Sequence, residues 1–251
     1  VSSPFDLAGK TAVVTGGGRG LGLGISNALL EAGADVIVLA RNDVPAELAD
    51  RAATLGRQVH FVAVDLGDAD AVTAAAQQVL GAHRVDILVN NAGTQERHQA
   101  IDFPLEAFER VLDVNLRAVF QLAQLFARPM LERGEGKIIN LASLLSFQGG
   151  ATVPAYAASK GAVAQLTKAL CNEWSGRGVN VNAVAPGYMA TDMNTALIAD
   201  PVRLEQLSVR IPAGRWGQPE DVGNVVVFLA SPAAAYVHGQ VLAVDGGWLA
   251  R

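Results

Sequence analysis

Short runs of β-branched and aliphatic residues alternate along this chain with longer stretches whose apolar positions recur at helical spacing. The runs are Thr11–Thr15, Asp35–Ala40, Val59–Val64, Asp86–Asn90, Lys137–Leu141, Asn180–Val184 and Gln240–Val244. Between them lie amphipathic segments such as Leu21–Ala32, Asp68–Leu80, Leu105–Leu131 and Ala155–Ser175. Strands that are apolar throughout, rather than alternately polar, belong to a parallel sheet covered on both faces. Right-handed crossovers then predict a single-domain α/β fold, a doubly wound (Rossmann) seven-stranded parallel sheet with helices on both sides. No linker, repeat or low-complexity tract breaks the pattern, so residues 1–251 read as one dinucleotide-binding and catalytic domain. Two stretches are less regular, Thr94–Pro104 and Pro186–Pro212. The second lies between the last two strands, where a substrate lid (about 187–212) or a plain helical excursion would fit.

Composition narrows the class. With 51% hydrophobic and 17% charged residues, the chain has ample apolar surface for a core. A net charge of −5 with scattered basic residues gives no nucleic-acid footprint. A single cysteine, Cys171, excludes an intrachain disulfide, suits a reducing cytoplasm, and reads as a small buried hydrophobe. The first residues lack the basic and apolar regions of a signal peptide. No apolar run approaches the roughly 20 residues of a membrane span. The expectation is a cytoplasmic protein. His60, His83, His98 and His238 lack metal-ligand spacing, and no metal is expected.

Chemistry enters with P-A-Y-A-A-S-K. Tyr156 and Lys160 are four residues apart, about one helical turn (~6 Å) on one face. A cation beside a phenol favours the phenolate, which suits a general acid/base at a carbonyl or alcohol. Alone the pair is common on helix surfaces. Upstream, the first strand runs into Thr15-Gly16-Gly17-Gly18-Arg19-Gly20-Leu21-Gly22. Glycines there allow a tight turn and close approach of a pyrophosphate to the next helix N-terminus.

The second strand ends Leu39-Ala40-Arg41-Asn42, without the acidic residue that usually holds the ribose hydroxyls of NAD. Arg41 and Arg19 instead suit a 2′-phosphate, favouring NADP(H). The alternative is NAD(H), with Asp43 taking the ribose. Asp65-Leu66 and Asn90-Asn91-Ala92-Gly93 also end strands, where open α/β sheets bind ligands. Asp65 is a candidate for the adenine amino group, and Asn90 reads equally as a turn former.

Taken in order, T-G-x-x-x-G-x-G, N-N-A-G, the Asn of V-N-L, a fifth-strand Ser, Y-x-x-x-K and P-G resemble the short-chain dehydrogenase/reductases over essentially the whole length. The resemblance implies that Ser143 hydrogen-bonds the substrate oxygen and that Tyr156 passes the proton. It implies that Lys160 lowers the phenol pKa and holds the nicotinamide ribose, while Asn115 anchors a water. The neighbouring Ser146 is the rival for the role of Ser143; the register from Tyr156 decides for Ser143. Val184–Thr191 would clasp the nicotinamide through Pro186, Gly187, Met189 and Thr191. Members are commonly tetramers, and the apolar C-terminal Trp248-Leu249-Ala250-Arg251 is expected at a subunit interface.

Within that family, K-I-I-N-L-A-S-L-L-S-F-Q-G-G, A-P-G-Y-M-A-T, R-I-P-A-G-R-W-G and A-V-D-G-G-W-L-A-R look like the bacterial 2-deoxy-D-gluconate 3-dehydrogenases, also described as 2-keto-3-deoxy-D-gluconate 5-dehydrogenases. The substrate implied is a deoxy or keto sugar acid from pectin or alginate breakdown. Arg97 is the candidate for its carboxylate and Gln148 for its hydroxyls. Alternatives are a 3-oxoacyl-carrier-protein reductase or another secondary alcohol dehydrogenase and, in a different class, a non-catalytic dinucleotide sensor.

Overall fold

Strand residues alternate between two apolar layers, and this places the core. The computed structural model describes residues 3–191 and 199–251. Among them, seven strands form one parallel sheet: β1 (Thr11–Thr15), β2 (Asp35–Ala40), β3 (Val59–Ala63), β4 (Ile87–Asn90), β5 (Gly136–Leu141), β6 (Val179–Pro186) and β7 (Val241–Val244). Their order is β3-β2-β1-β4-β5-β6-β7. Val14, Val36, Val38 and Val89 face one layer with Ile25, Leu29, Val222 and Val226. Val13, Ile37 and Leu88 face the other with Val72, Phe126, Met130 and Leu170. Both faces are therefore dry, which is why the strands read as unbroken apolar runs.

Among the described residues the α-helices are α1 (Gly20–Glu31), α2 (Ala46–Thr54), α3 (Ala69–Ala82), α4 (Leu105–Leu112), α5 (Ala118–Arg133), α6 (Pro154–Trp174), α7 (Pro201–Ser208) and α8 (Pro219–Ala230). The amphipathic stretch Leu105–Leu131, expected as one helix, is divided. A π-helical turn, Asp113–Arg117, joins α4 to α5. Such wide turns favour functional positions because they rotate one side chain out of the α-helical register. Here the displaced residue is Asn115.

Two contacts fix how the layers sit. Asn90 Nδ2 donates to Asn140 Oδ1 at 2.9 Å, and Asn140 Nδ2 to Thr167 Oγ1 at 3.0 Å. This buried polar ladder runs from β4 through β5 to α6, so Asn90 is a core residue rather than a turn former. On the opposite face, α1 and α8 cross closely at Gly24. A Cβ there would lie 2.4 Å from Pro219 Cβ and 2.8 Å from the Pro219 carbonyl carbon.

Residues 192–198 of the expected lid lie outside the described residues. Of the remainder, α7 is capped by Asp200, whose carboxylate accepts from Val202 N and Arg203 N. Leu204 and Leu207 pack against a small cluster containing Trp216 and Trp248.

Close packing at one glycine and open space at another give opposite expectations. Gly24→Val forces backbone apart and should cost stability near the top of the ~1–3 kcal/mol range for overpacking. A Cβ added at Gly81, in α3, would meet no described atom within 4 Å; Gly81→Ala should gain up to about 1 kcal/mol of helix propensity. Urea unfolding midpoints of the two variants check both signs.

Candidate active site

The order of the sheet reverses between β1 and β4, and the loops leaving these strands are bolted together. Asn91 Nδ2 donates to the Thr15 carbonyl at 2.8 Å, and Thr15 Oγ1 accepts from Ala92 N at 2.9 Å. Gly16 turns here with φ +64°, a left-handed conformation that favours glycine. A Cβ on Gly22 would fall 2.0 Å from the Gly16 carbonyl oxygen, so α1 can start directly against the loop only with glycine at that position. Gly18 abuts Val44 and Pro45, and Gly20 faces Thr191 across the cleft, its Cβ position 3.9 Å from that of Thr191. The loop thus presents the first turn of α1, a favourable seat for an anion.

Around this cradle the expected nucleotide residues divide. Arg19, Arg41 and Asn42 are exposed, and neither arginine has a partner among the described residues. Asp43 is exposed as well, but its carboxylate accepts from Val44 N at 2.7 Å. Asp65 stands open at the end of β3 and accepts from Gly67 N at 2.9 Å. Leu66 and the side chain of Met189 turn into the two core layers, and Leu21 is half-buried against one of them. These three can therefore face a nucleotide chiefly through backbone. Pro186 closes β6. Gly187 is required by β7 itself, since a Cβ there would lie 2.7 Å from Asp245 Cα.

At the carboxyl ends of β4 and β5 the proton-transfer candidates meet. Ser143 follows β5, where its hydroxyl accepts from Leu145 N at 3.2 Å and stands near enough to the Tyr156 phenol to act on its pKa. Lys160 is one turn further along α6, only 3% exposed, its Nζ 5.7 Å from the Tyr156 ring centroid. Its ammonium donates to the Leu141 carbonyl. Gly93 completes the corner, its Cβ position 3.7 Å from Lys160 Nζ and 3.4 Å from Asn115 Oδ1. Asn115 is fully buried. Its Oδ1 accepts from Thr94 N at 2.8 Å, and its Nδ2 donates to Thr94 O at 2.9 Å and Ser159 Oγ at 3.1 Å. It ties the β4 loop to α6.

Electrostatics at this corner differ from expectation. Burial depresses the Lys160 ammonium to about 8. Tyr156 keeps part of its ring accessible, yet the atoms packed round the phenol withhold solvent from the phenolate. The phenol is raised above its ordinary value by that burial, and the nearby Ser143 hydroxyl opposes the rise. The Lys160 ammonium is turned to the Leu141 carbonyl and lies 5.7 Å from the centroid of the phenol ring.

Three residues of the corner carry roles that reading the chain did not assign. Ser146, the rival to Ser143, is a brace: its hydroxyl donates to the Lys160 carbonyl at 2.7 Å and accepts from Ser143 N at 3.3 Å. The S-x-x-S spacing of a capping box was the available signal. Thr15 and Ser159 had no such mark. On the substrate side, Arg97 is exposed and unpaired among the described residues. Its neighbour Glu96 makes a two-pronged ion pair with Arg110 at 3.1 and 3.2 Å, and His98 N donates to Thr152 O at 3.1 Å. Gln148 accepts from Trp248 Nε1 at 3.4 Å. Trp248 is buried within its own chain, its ring 4.7 Å from that of Tyr188, while Ala250 and Arg251 beyond it are exposed. Cys171 is half-buried, its Sγ 3.3 Å from Ser175 Oγ.

Among the described residues no group of three or more His, Cys, Asp or Glu could hold a metal, and no helix is long and apolar enough to cross a membrane.

Comparison with known proteins places this geometry. The family model described as enoyl-(acyl-carrier protein) reductase matches residues 16–249. The 2-dehydro-3-deoxy-D-gluconate 5-dehydrogenase of Bacillus subtilis is 51% identical over 247 residues, 98% of this chain and 97% of that protein. A Beutenbergia cavernae structure, described as a proposed NAD(P)-dependent gluconate 5-dehydrogenase with NADP bound at low occupancy, is 51% identical. It superposes with a TM-score of 0.96, covering 99% of this chain and 100% of that one. A proposed 2-deoxy-D-gluconate 3-dehydrogenase of Agrobacterium tumefaciens with bound NADP is 48% identical, with a TM-score of 0.94 and full coverage of both chains. A reversed parallel sheet with a glycine cradle at its switch point, a serine, tyrosine and lysine converging beside it, and relatives alike from end to end make this chain a member of the short-chain dehydrogenase/reductase family.

Proposed function

We propose that the protein is an NADP(H)-dependent oxidoreductase that interconverts a ketone and a secondary alcohol on a deoxy sugar acid of the 2-keto-3-deoxygluconate type. The observation that carries the chemistry is the convergence of Ser143, Tyr156, Lys160 and Asn115 at one corner beside the glycine cradle. The substrate class rests on the names of the full-length relatives.

The residues present fit a dinucleotide. The cradle Gly16–Gly22 and the start of α1 would hold the pyrophosphate, Asp65 and the Leu66 backbone the adenine, and Asn91, Ala92 and Gly93 the floor of the cleft. Pro186, Gly187, Met189 and Thr191 would line the nicotinamide side. Arg19 and Arg41, exposed and without partners among the described residues, are free to pair with a 2′-phosphate. When bound, the reduced nicotinamide supplies a hydride to the carbonyl carbon.

In that direction Tyr156 donates its proton to the developing alkoxide, and Ser143 donates a hydrogen bond to the same oxygen. A phenol held above its ordinary value keeps its proton until the oxygen needs it. Lys160 stands behind it as a cation whose depressed pKa lets it exchange protons near neutrality. Asn115 holds the β4 loop against Ser159 and so keeps the tyrosine-bearing turn of α6 in place. In the reverse direction the same groups accept the alcohol proton. Arg97 would meet the carboxylate of the acid and Gln148 its hydroxyls. A tetramer is the assembly expected for such a protein.

Tyr156→Phe should lower kcat by at least about 100-fold, while fluorescence titration gives an unchanged Kd for NADPH; retained turnover would remove Tyr156 from the mechanism. Arg41→Ala should weaken NADPH by roughly tenfold, in line with loss of one charged hydrogen bond, and leave NADH untouched. A wild-type protein that prefers NADH would sink the NADP(H) assignment. Burial of Lys160 also has a stability signature. Its folded pKa, about 8, lies below the unfolded value, so the penalty is full below pH 8 and fades as pH rises toward ~10.5. Relative to Lys160→Met, the wild type should gain roughly 2–3 kcal/mol of unfolding free energy between pH 7 and pH 10. A pH-independent difference in urea titrations would contradict the depressed pKa.

A further inference from the structure

The C-terminal turn is more firmly built than a chain end requires. Asp245 Oδ1 accepts from Gly247 N at 2.8 Å and its Oδ2 from Leu249 N at 2.9 Å. Gly246 and Gly247 have φ of +63° and +89°. A Cβ on either would strike Ile211 or Pro212, at 2.7 and 3.0 Å. Ala213 N donates to Gly246 O at 2.9 Å. The turn is therefore moulded to the far end of the 187–212 segment.

What it carries is Trp248, 5% exposed. The guanidinium carbon of Arg210 lies 3.9 Å from the ring centroid, and the Tyr188 ring is on it at 4.7 Å. The indole shares a cluster with Leu144, Ile211 and Trp216. Its N–H reaches Gln148 Oε1 at 3.4 Å, a long and weak bond. Three separate stretches thus meet on one ring: the turn that follows Ser143, the Tyr188 end of the nicotinamide clasp, and the end of the lid segment. Leu144, directly after Ser143, belongs to the same cluster as the ring.

We infer that Trp248 is a positioning residue for substrate specificity: the last turn of the chain supports the wall of the site that receives the acid, through Leu144, Gln148 and Tyr188. Support comes from ring volume, not from the N–H. The inference rests on the function proposed above only for the identity of the substrate. The ring contacts of Trp248 are with Arg210, Tyr188 and Gln148, none of them in the glycine cradle, so its loss should fall on the substrate side more than on NADPH binding.

The experiment is steady-state kinetics of purified full-length Trp248→Ala, Trp248→Phe and Arg210→Ala proteins, with NADPH Kd measured by fluorescence. Trp248→Ala should raise KM for the sugar acid about tenfold or more and change kcat by less than about threefold. NADPH Kd should stay within about twofold. Trp248→Phe, which keeps a ring in the cluster, should remain within about threefold of wild type in KM. Val79→Ala, a buried truncation in α3, serves as the control: it should lower Tm yet leave KM unchanged. If Trp248→Ala does not fold, Arg210→Ala decides, because its exposed guanidinium can be removed without opening a cavity; KM should rise about two- to fourfold. An unchanged KM in the variants that fold, or an NADPH Kd that worsens in step with KM, overturns the inference. Failure of the wild type to turn over any sugar acid counts against the proposed function alone. The Trp248 comparison then runs on whichever ketone or secondary alcohol the wild type accepts.

Discussion

Keeping an ammonium group almost out of water is the constraint around which this site is organised. Desolvating a cation is costly unless donors find acceptors, and Lys160 finds one in the Leu141 carbonyl at the end of β5. That bond fixes α6 against the strand, and the rest of the corner follows. Ser146 seizes the Lys160 carbonyl, Asn115 reaches across to Ser159, and Gly93 leaves room for the ammonium. The wide turn that frees Asn115 for this task interrupts an otherwise regular helical pair. A parallel sheet buried on both faces offers no other location for such polar work than the strand ends. The reversal of strand order opens the cleft beside it.

The geometry also separates two functions that adjoining residues perform. The β1 and β4 loops are joined through Thr15 and Asn91, so the nucleotide cradle is held together by the chain's own hydrogen bonds. The substrate side is assembled from segments far apart in the chain, held by aromatic packing and by ion pairs such as Glu96–Arg110, whose exposed charges contribute orientation more than stability. A family with this arrangement can keep one half constant while the other half varies.

Much of this is legible in the chain itself. Runs such as Val36–Leu39 and Val181–Val184 declare a doubly covered parallel sheet, because their apolar character has no polar phase. The glycine loop and the Tyr156–Lys160 spacing are local signals with a direct steric or helical meaning. What escapes such reading is non-local. Helical periodicity persists across Asp113–Arg117, so one extra residue in a turn leaves no mark on the apolar pattern. The phenol of Tyr156 is shifted by burial and by the Ser143 hydroxyl, and neither follows from its four-residue spacing to Lys160. Trp248 is legible as something that must be covered, but its cover is Tyr188 and Arg210 of the same chain, brought to it by the fold.

The ladder Asn90–Asn140–Thr167 has a consequence for how the chain reaches this structure. Parallel sheets are assembled from strands distant in sequence, and apolar strands alone pair almost as well one step out of line. Placing an asparagine in each of the two central strands removes that degeneracy. A slip of β5 against β4 would break the Asn90–Asn140 bond inside the core, although Thr167 keeps its bond to the Val163 carbonyl, at a cost of about 1–3 kcal/mol for each amide group left orphaned. The ladder thus acts as a proofreading key during assembly: it rewards one alignment of the central strands and penalises the neighbouring ones before any ligand is present.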